Sequence, residues 1–145
     1  MTVSRSALAI TWTPPDIDAE RWEFFSHPAK QEYYTRNAIG WDDILSASAE
    51  GAFAPYPRSD TLGGITVSLS YHTWEDYTRY LAKARRGYRL SYARMEDDLH
   101  RTGSLTLQAP VVLAAGDDGL LFSGYRRLCL AWNHGMTPFV WLITL

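Results

Sequence analysis

Residues 108–145 constrain the fold of this chain more than any other segment. The apolar run at 110–113 is typical of a buried strand, and the Asp-Asp-Gly motif at 117–119 predicts a tight reversal into a second strand. A helix is predicted at 125–134, and a last strand at 139–143. Strands and a helix that alternate over so short a distance predict a small mixed sheet with helices packed against it.

The helix in this segment begins at Gly124 and carries Arg126 and Arg127 in its first turn. A helix start presents unsatisfied N–H groups at the positive end of the dipole, which favours an anion such as phosphate. A cation at that end is disfavoured by about 0.3–1 kcal/mol, and an anionic ligand would offset this cost. The sequence therefore predicts phosphate binding by Gly124, Tyr125, Arg126 and Arg127, and the alternative is a plain turn with two solvated arginines.

Length and charge restrict the classes of protein to consider. A chain of 145 residues suits a single domain, 1–145, with one core. The net charge of −2 gives no general attraction to nucleic acid or to an anionic membrane, so any nucleic-acid contact would be local. Cys129 is the one cysteine, which excludes an internal disulfide. The apolar N-terminal patch is broken before it reaches signal or transmembrane length, and we expect a cytoplasmic protein without a membrane partner.

The rest of the chain is predicted to be divided by a loop. Residues 51–64 are dense in glycine and proline, which predicts a loop between a helical accessory layer and the core. The accessory layer spans 1–60 and the core 61–145. The elements predicted outside the C-terminal segment are a helix carrying Trp22 and Phe25 and interrupted by Pro28, helices at 30–37 and 41–50, a strand at 65–70, and helices at 74–86 and 91–102. The sequence thus predicts an α+β (mixed α/β) fold.

The order of the C-terminal elements resembles the shared core of the ParB/sulfiredoxin superfamily. That core runs from a helix and a glycine through a strand, a hairpin and a G-x-x-R helix to a closing strand. The matching positions are Gly103, the strand at 110–113, the turn at 117–119, Gly124 with Arg127, and the closing residues 138–140. The resemblance covers the C-terminal half of the chain, and upstream only the order of a strand and two helices agrees.

The resemblance implies a bound nucleotide, ATP or CTP, or another phosphorylated ligand, with hydrolysis as a candidate activity. Gly124 and Arg127 would contact the phosphates. Arg94 and Asp98 would approach from the upstream helix, Asp98 through Mg²⁺, and Asp98 is the candidate catalytic residue. Tyr125 stands where sulfiredoxins have their catalytic cysteine, so sulfinic-acid reduction is not expected. No DNA-reading module follows the core, so a centromere-binding role is not expected either.

Two further classes of function stay open. Proteins similar to this fold include a free-serine kinase and plasmid fertility-inhibition proteins with ATPase and DNase activity, which implies a phosphoryl-transfer enzyme or Mg²⁺-dependent nuclease. The other class is a non-enzymatic interaction factor of a mobile element, binding a protein partner through its aromatic N-terminal half. His27, His72, His100 and His134 show no His-His pairing at i, i+4 and no His/Cys spacing, so a zinc site is not expected.

Overall fold

The structure is a computed structural model that describes residues 8–26, 28–57, 61–68 and 90–145. Its helices are α1 (Arg21–Ser26), α2 (Pro28–Arg36), α3 (Trp41–Ser48), α4 (Leu90–Thr102) and α5 (Tyr125–Asn133). Its strands are β1 (Ala9–Thr13), β2 (Ala52–Pro55), β3 (Thr61–Leu62), β4 (Ile65–Ser68), β5 (Ser104–Gln108), β6 (Val111–Ala115), β7 (Asp118–Ser123) and β8 (Phe139–Thr144). This is an α+β fold, and the predicted fold class is confirmed.

A six-stranded mixed sheet in the order β2-β8-β6-β7-β4-β3 forms the centre of the protein. Strands β6 and β7 pair as an antiparallel hairpin, while β8 runs parallel to β6 and β4 runs parallel to β7. Helix α5 lies between β7 and β8 in the chain, so the connection from β6 to its parallel neighbour β8 runs through β7 and α5. A separate pair of parallel strands joins β1 to β5.

The central hairpin is apolar on both faces because each face is covered. Alternate residues of a strand point to opposite sides, so Leu113 and Val112 belong to different cores. Leu113 packs with the buried aromatic residues of the N-terminal helices, which are Phe24, Tyr33, Tyr34 and Trp41. Val112 packs with Leu128 of α5. Most of the N-terminal aromatic content thus covers the sheet, although Trp22 and Phe25 stay exposed.

Several predicted elements are confirmed and two predictions are wrong. The strand beginning at residue 65, the helix ending before Gly103 and the C-terminal series of hairpin, helix and strand are all present. The region 51–64 is not a loop throughout, because it contains β2 and β3. The turn of the central hairpin lies at residues 116 and 117 rather than at the predicted 117–119, because Asp118 and Gly119 already belong to β7. Residues 1–60 also include the strands β1 and β2 beside their helices. Strand β2 is specified by its pairing with β8, which no local pattern reveals. Pro28 begins α2, a position that proline favours. The helix predicted at 74–86 lies outside the described residues.

Candidate metal centre

The strand-to-helix junction at Gly124 is shaped by packing within the protein. Gly124 has a φ of 98°, which side-chain-bearing residues rarely adopt. A Cβ atom placed on it would lie 2.6 Å from Cβ of Pro110, so the two backbones approach too closely for any side chain. Its carbonyl oxygen accepts a hydrogen bond of 3.1 Å from the backbone N–H of Leu128, which opens the helix. The turn and the contact with Pro110 account for this glycine.

Arg127, the predicted phosphate ligand, is turned toward the protein. Its guanidinium donates to the carbonyl oxygens of Gln108 and Ala109, and Nη2 lies 3.8 Å from Oε1 of Glu20. Only 18% of its side chain is exposed. Burial lowers the pKa of Arg127, and burial likewise raises the pKa of Glu20. The charge of Arg127 is therefore balanced internally, while Arg126 is the arginine exposed at this corner.

Tyr125 is half-buried beside Cys129 of the same helix. Its hydroxyl interacts with the Cys129 thiol, and burial raises the pKa of that thiol to about 12. A thiol that stays protonated is a poor nucleophile. Cys129 is thus a buried packing residue.

Arg94 and Asp98 lie on the face of α4 directed away from α5. The residues of α4 that contact the end of α5 are Tyr92, Glu96 and His100, spaced four apart along one face. Arg94 and Asp98 each follow one of these by two residues, which is about 200° around a helix. The Asp98 carboxylate instead accepts a hydrogen bond of 3.0 Å from Arg101. The predicted set is therefore split, with Asp98 and Arg94 on the outer face of α4 and the other four residues at the start of α5.

Three other side chains converge where α4 meets the end of α5. Glu96, His100 and His134 each offer one ligand atom, and these atoms all lie within 4.8 Å of one another. The two imidazole Nε2 atoms are 3.1 Å apart, and Nε2 of His134 is 3.7 Å from Oε2 of Glu96. Among the residues that the structure describes, this is the group of histidine, cysteine and acidic side chains that meets the geometry of a metal site.

The main chain fixes which nitrogen of His134 carries a proton. Nδ1 of His134 lies 2.8 Å from the carbonyl oxygen of Leu130, one helical turn earlier. A carbonyl oxygen only accepts, so in the neutral ring the proton is on Nδ1 and Nε2 presents a lone pair to His100 and Glu96. Metal-bound histidines commonly donate their second ring nitrogen to a carbonyl or carboxylate in this way. His134 is thus oriented as a ligand would be.

The distances within this group fit one small ion. Ligand atoms held at about 2.0–2.1 Å from a tetrahedral ion are separated by about 3.3–3.5 Å. Two of the three separations, 3.1 Å and 3.7 Å, lie on either side of this range, and the third is at most 4.8 Å. Small rotations of the side chains would bring all three atoms into a coordination shell.

Two neighbouring side chains position Glu96. Oε2 of Glu96 accepts hydrogen bonds of 3.3 Å from the Tyr92 hydroxyl and 3.3 Å from Nδ2 of Asn133. Burial, with the nearby Glu96 charge, raises the pKa of Tyr92, so the phenol stays protonated and acts as a donor. Hydrogen bonds from neighbouring side chains to a ligating carboxylate hold it in one orientation.

The sequence contained one signal for this group that histidine spacing alone does not show. Glu96 and His100 are four residues apart and share a helix face, which brings a carboxylate and an imidazole together. The Glu96-Asp97-Asp98 run is more typical of a solvated face, which obscures the pair. His134 is 34 residues from His100 in the chain and meets it only through packing of α4 on α5. The prediction that no zinc-type site exists rested on His-His spacing, which does not detect a Glu-His pair completed by a distant histidine.

Comparisons with known proteins do not assign the chain to a class. No family model, curated protein or solved structure matches it. The resemblance to the ParB/sulfiredoxin superfamily therefore stays a prediction. In the ranges that the structure describes, no helix combines the length and apolar character needed to cross a membrane.

Proposed function

We propose that this protein binds a divalent transition-metal ion through Glu96, His100 and His134. The observation that carries the proposal is the position of Nε2 of His134, which lies 3.1 Å from a second imidazole nitrogen and 3.7 Å from a carboxylate oxygen. Histidine nitrogens and carboxylate oxygens are the ligands that bind Zn²⁺ in proteins, and a cation would compensate the carboxylate of Glu96 in this partly buried place.

The ligand set favours zinc or a neighbouring ion over magnesium. Two imidazole nitrogens and one carboxylate oxygen suit Zn²⁺, Co²⁺ or Ni²⁺, whereas Mg²⁺ prefers oxygen ligands and keeps several waters. The Mg²⁺ site predicted at Asp98 rests on a different face of α4. A metal-binding function at Glu96, His100 and His134 is therefore independent of that prediction.

The competing explanation is a hydrogen-bonded pair of histidines without metal. In that case the N–H on Nε2 of His100 donates to Nε2 of His134, and Glu96 serves as a half-buried acceptor. Such a pair would satisfy the same atoms and would show no saturable affinity for a metal. The two explanations are separated by binding measurements.

Isothermal titration with Zn²⁺, after removal of adventitious metal, tests the proposal. We expect one ion per chain for the wild type, and a loss of affinity of at least about tenfold in His134→Ala, His100→Ala and Glu96→Gln. Asp97→Asn is the matched control, since Asp97 is the exposed acid next to Glu96, and it should bind like the wild type. Circular dichroism confirms that each variant is folded. Absence of saturable binding, or wild-type affinity in His134→Ala, would overturn the proposal.

A phosphorylated ligand at the start of α5 is a second candidate, favoured by a separate observation. The Ser123 hydroxyl is buried at the end of β7, immediately before Gly124, and has no hydrogen-bond partner among the described residues. Arg126 is exposed in the following turn. Internal neutralisation of Arg127 by Glu20 weakens this candidate relative to the metal site. Nucleotide binding and hydrolysis stay predictions, tested below by thermal shift.

A further inference from the structure

We infer that the metal at this site keeps one coordination position open to solvent, which a small oxygen-donor anion can occupy. This inference rests on the proposed function and concerns the kind of site. Three side chains supply ligands within the described residues, and a tetrahedral ion takes four. Sites that hold the fourth position for water or substrate are the catalytic type, whereas structural sites are closed by protein ligands.

The neighbouring polar groups are unsuited to fill the fourth position. The atom of Asn133 that faces Glu96, at 3.3 Å, is its amide nitrogen, a donor without a lone pair, so Asn133 does not ligate a cation in this orientation of its amide. The Tyr92 hydroxyl donates a hydrogen bond of 3.3 Å to the same carboxylate oxygen. Both residues thus position Glu96 and leave the ion's remaining coordination to another donor.

The burial of the three ligands shows where the open position lies. His134 is 8% exposed and the Glu96 side chain 17%, so these two form the floor of the site. His100, near the end of α4, is exposed. An ion held by the three side chains would have the buried His134 and Glu96 on one side, and we place its open position toward the exposed His100.

The chemistry of such a position defines the class of ligand. A solvent-facing position on Zn²⁺ is filled by water, whose pKa a bound zinc lowers to about 7. Carboxylates and hydroxamates, which present oxygen lone pairs and a negative charge, replace that water without changing the protein ligands. The alternative is a closed site in which a side chain from outside the described residues, such as His72, is the fourth ligand.

Cobalt-substituted protein distinguishes these cases, because the visible absorption of Co²⁺ responds to every change in its coordination. We expect Co²⁺ to give ligand-field bands with the wild type, and acetohydroxamate to change these bands saturably while the metal stays bound, as measured on the protein after gel filtration. His72→Ala should give the wild-type spectrum and the same response. Two results would overturn the inference of an open position: bound Co²⁺ whose bands do not change with acetohydroxamate, or a His72→Ala spectrum that differs from that of the wild type. Failure to bind Co²⁺ at all would instead overturn the metal proposal itself.

Discussion

Arg36 and Asp118 are joined by two parallel hydrogen bonds of 2.8 Å, from Nε and Nη2 of the guanidinium to the two carboxylate oxygens. Asn37 donates to the same carboxylate at 2.8 Å, and the Tyr33 hydroxyl donates to the Asp118 carbonyl oxygen. Asp118 begins β7, directly after the tight turn of the central hairpin. Helix α2 is thereby fixed to the hairpin that leads into α5.

This pairing predicts a loss of stability in acid. The hydrogen bonds from Arg36 lower the pKa of Asp118 below its ordinary value of 3.8. A depressed carboxyl pKa contributes stability above that ordinary value, and the contribution is lost as the pH falls through the folded-state pKa. Asp118→Asn should lower the free energy of unfolding by about 1 kcal/mol at pH 7, since the pair is partly exposed. The difference from the wild type should shrink toward pH 3.

Urea denaturation at several pH values measures the effect of Asp118→Asn. Asp117→Asn is the matched control, because Asp117 is the neighbouring acid of the same turn. A difference between Asp118→Asn and wild type that is equally large at pH 3 and pH 7 would contradict the role assigned to the Arg36 pair.

A second prediction separates the two requirements for glycine at position 124. Gly124→Ala must place an alanine at a φ of 98° and a Cβ atom 2.6 Å from Pro110. Gly116 has a φ of 63° but nothing within 4 Å of the position that a Cβ atom would take. Gly116→Ala should therefore lower the free energy of unfolding only through the unfavourable backbone conformation, by about 1–2 kcal/mol. The alanine at 124 should cost a further 1–3 kcal/mol, roughly the usual penalty for overpacking. Equal losses in the two variants, measured by chemical denaturation, would show that the contact with Pro110 relaxes freely.

A third prediction concerns the buried ammonium group of Lys30. Its Nζ lies 2.9 Å from Oε2 of Glu23 and 2.6 Å from the Phe122 carbonyl oxygen. Lys30→Met leaves a half-buried carboxylate and a carbonyl without their donor, which should cost about 3–5 kcal/mol of stability. The double variant Lys30→Met, Glu23→Gln should recover part of that loss, since it removes the unpaired charge. Losses that simply add in the double variant would mean that the two residues are not coupled.

Local sequence patterns were sufficient for the C-terminal half of the fold. The apolar run at 110–113, the turn-forming residues that follow it and the glycine before α5 each act over a few residues, and the hairpin and helix follow from them, with the turn itself at residues 116 and 117. Strands β1, β2 and β5 depend instead on partners far away in the chain. Strand β1, for example, pairs with β5 through residues more than ninety positions apart, such as Ala9 with Ser104.

For the candidate site residues too, some contacts can be predicted from neighbouring positions in the sequence and others depend on residues far away in the chain. Gly124 and Arg127 were recognised by a local motif, but the motif does not reveal that Glu20 reaches the Arg127 guanidinium from before α1. The pair Glu96 and His100 is local and can be read from helix spacing. Its completion by His134 depends on how α4 packs on α5, which the sequence does not display.

A fourth prediction tests the phosphate site directly. The measurement is a thermal-shift panel of ATP, CTP, GTP, ADP and pyrophosphate, with and without Mg²⁺. A phosphorylated ligand that binds the folded chain should raise its Tm, because a ligand at a hundred times its Kd adds about 2.7 kcal/mol to the free energy of unfolding. The shift should vanish in Arg126→Ala, which removes the arginine exposed at this corner, judged against that variant's own ligand-free Tm. Arg101→Ala, on the outer face of α4, is the control. A shift of equal size in all proteins would place the ligand elsewhere.

X-ray absorption spectroscopy of the zinc-loaded protein tests the central claim most directly, because it reports the atoms bound to the ion. We expect a four-coordinate shell of nitrogen and oxygen at about 2.0–2.1 Å, with outer scattering from two imidazole rings that falls to one ring in His134→Ala. A shell of oxygen atoms alone, or imidazole scattering that is unchanged in His134→Ala, would contradict the metal centre formed by Glu96, His100 and His134.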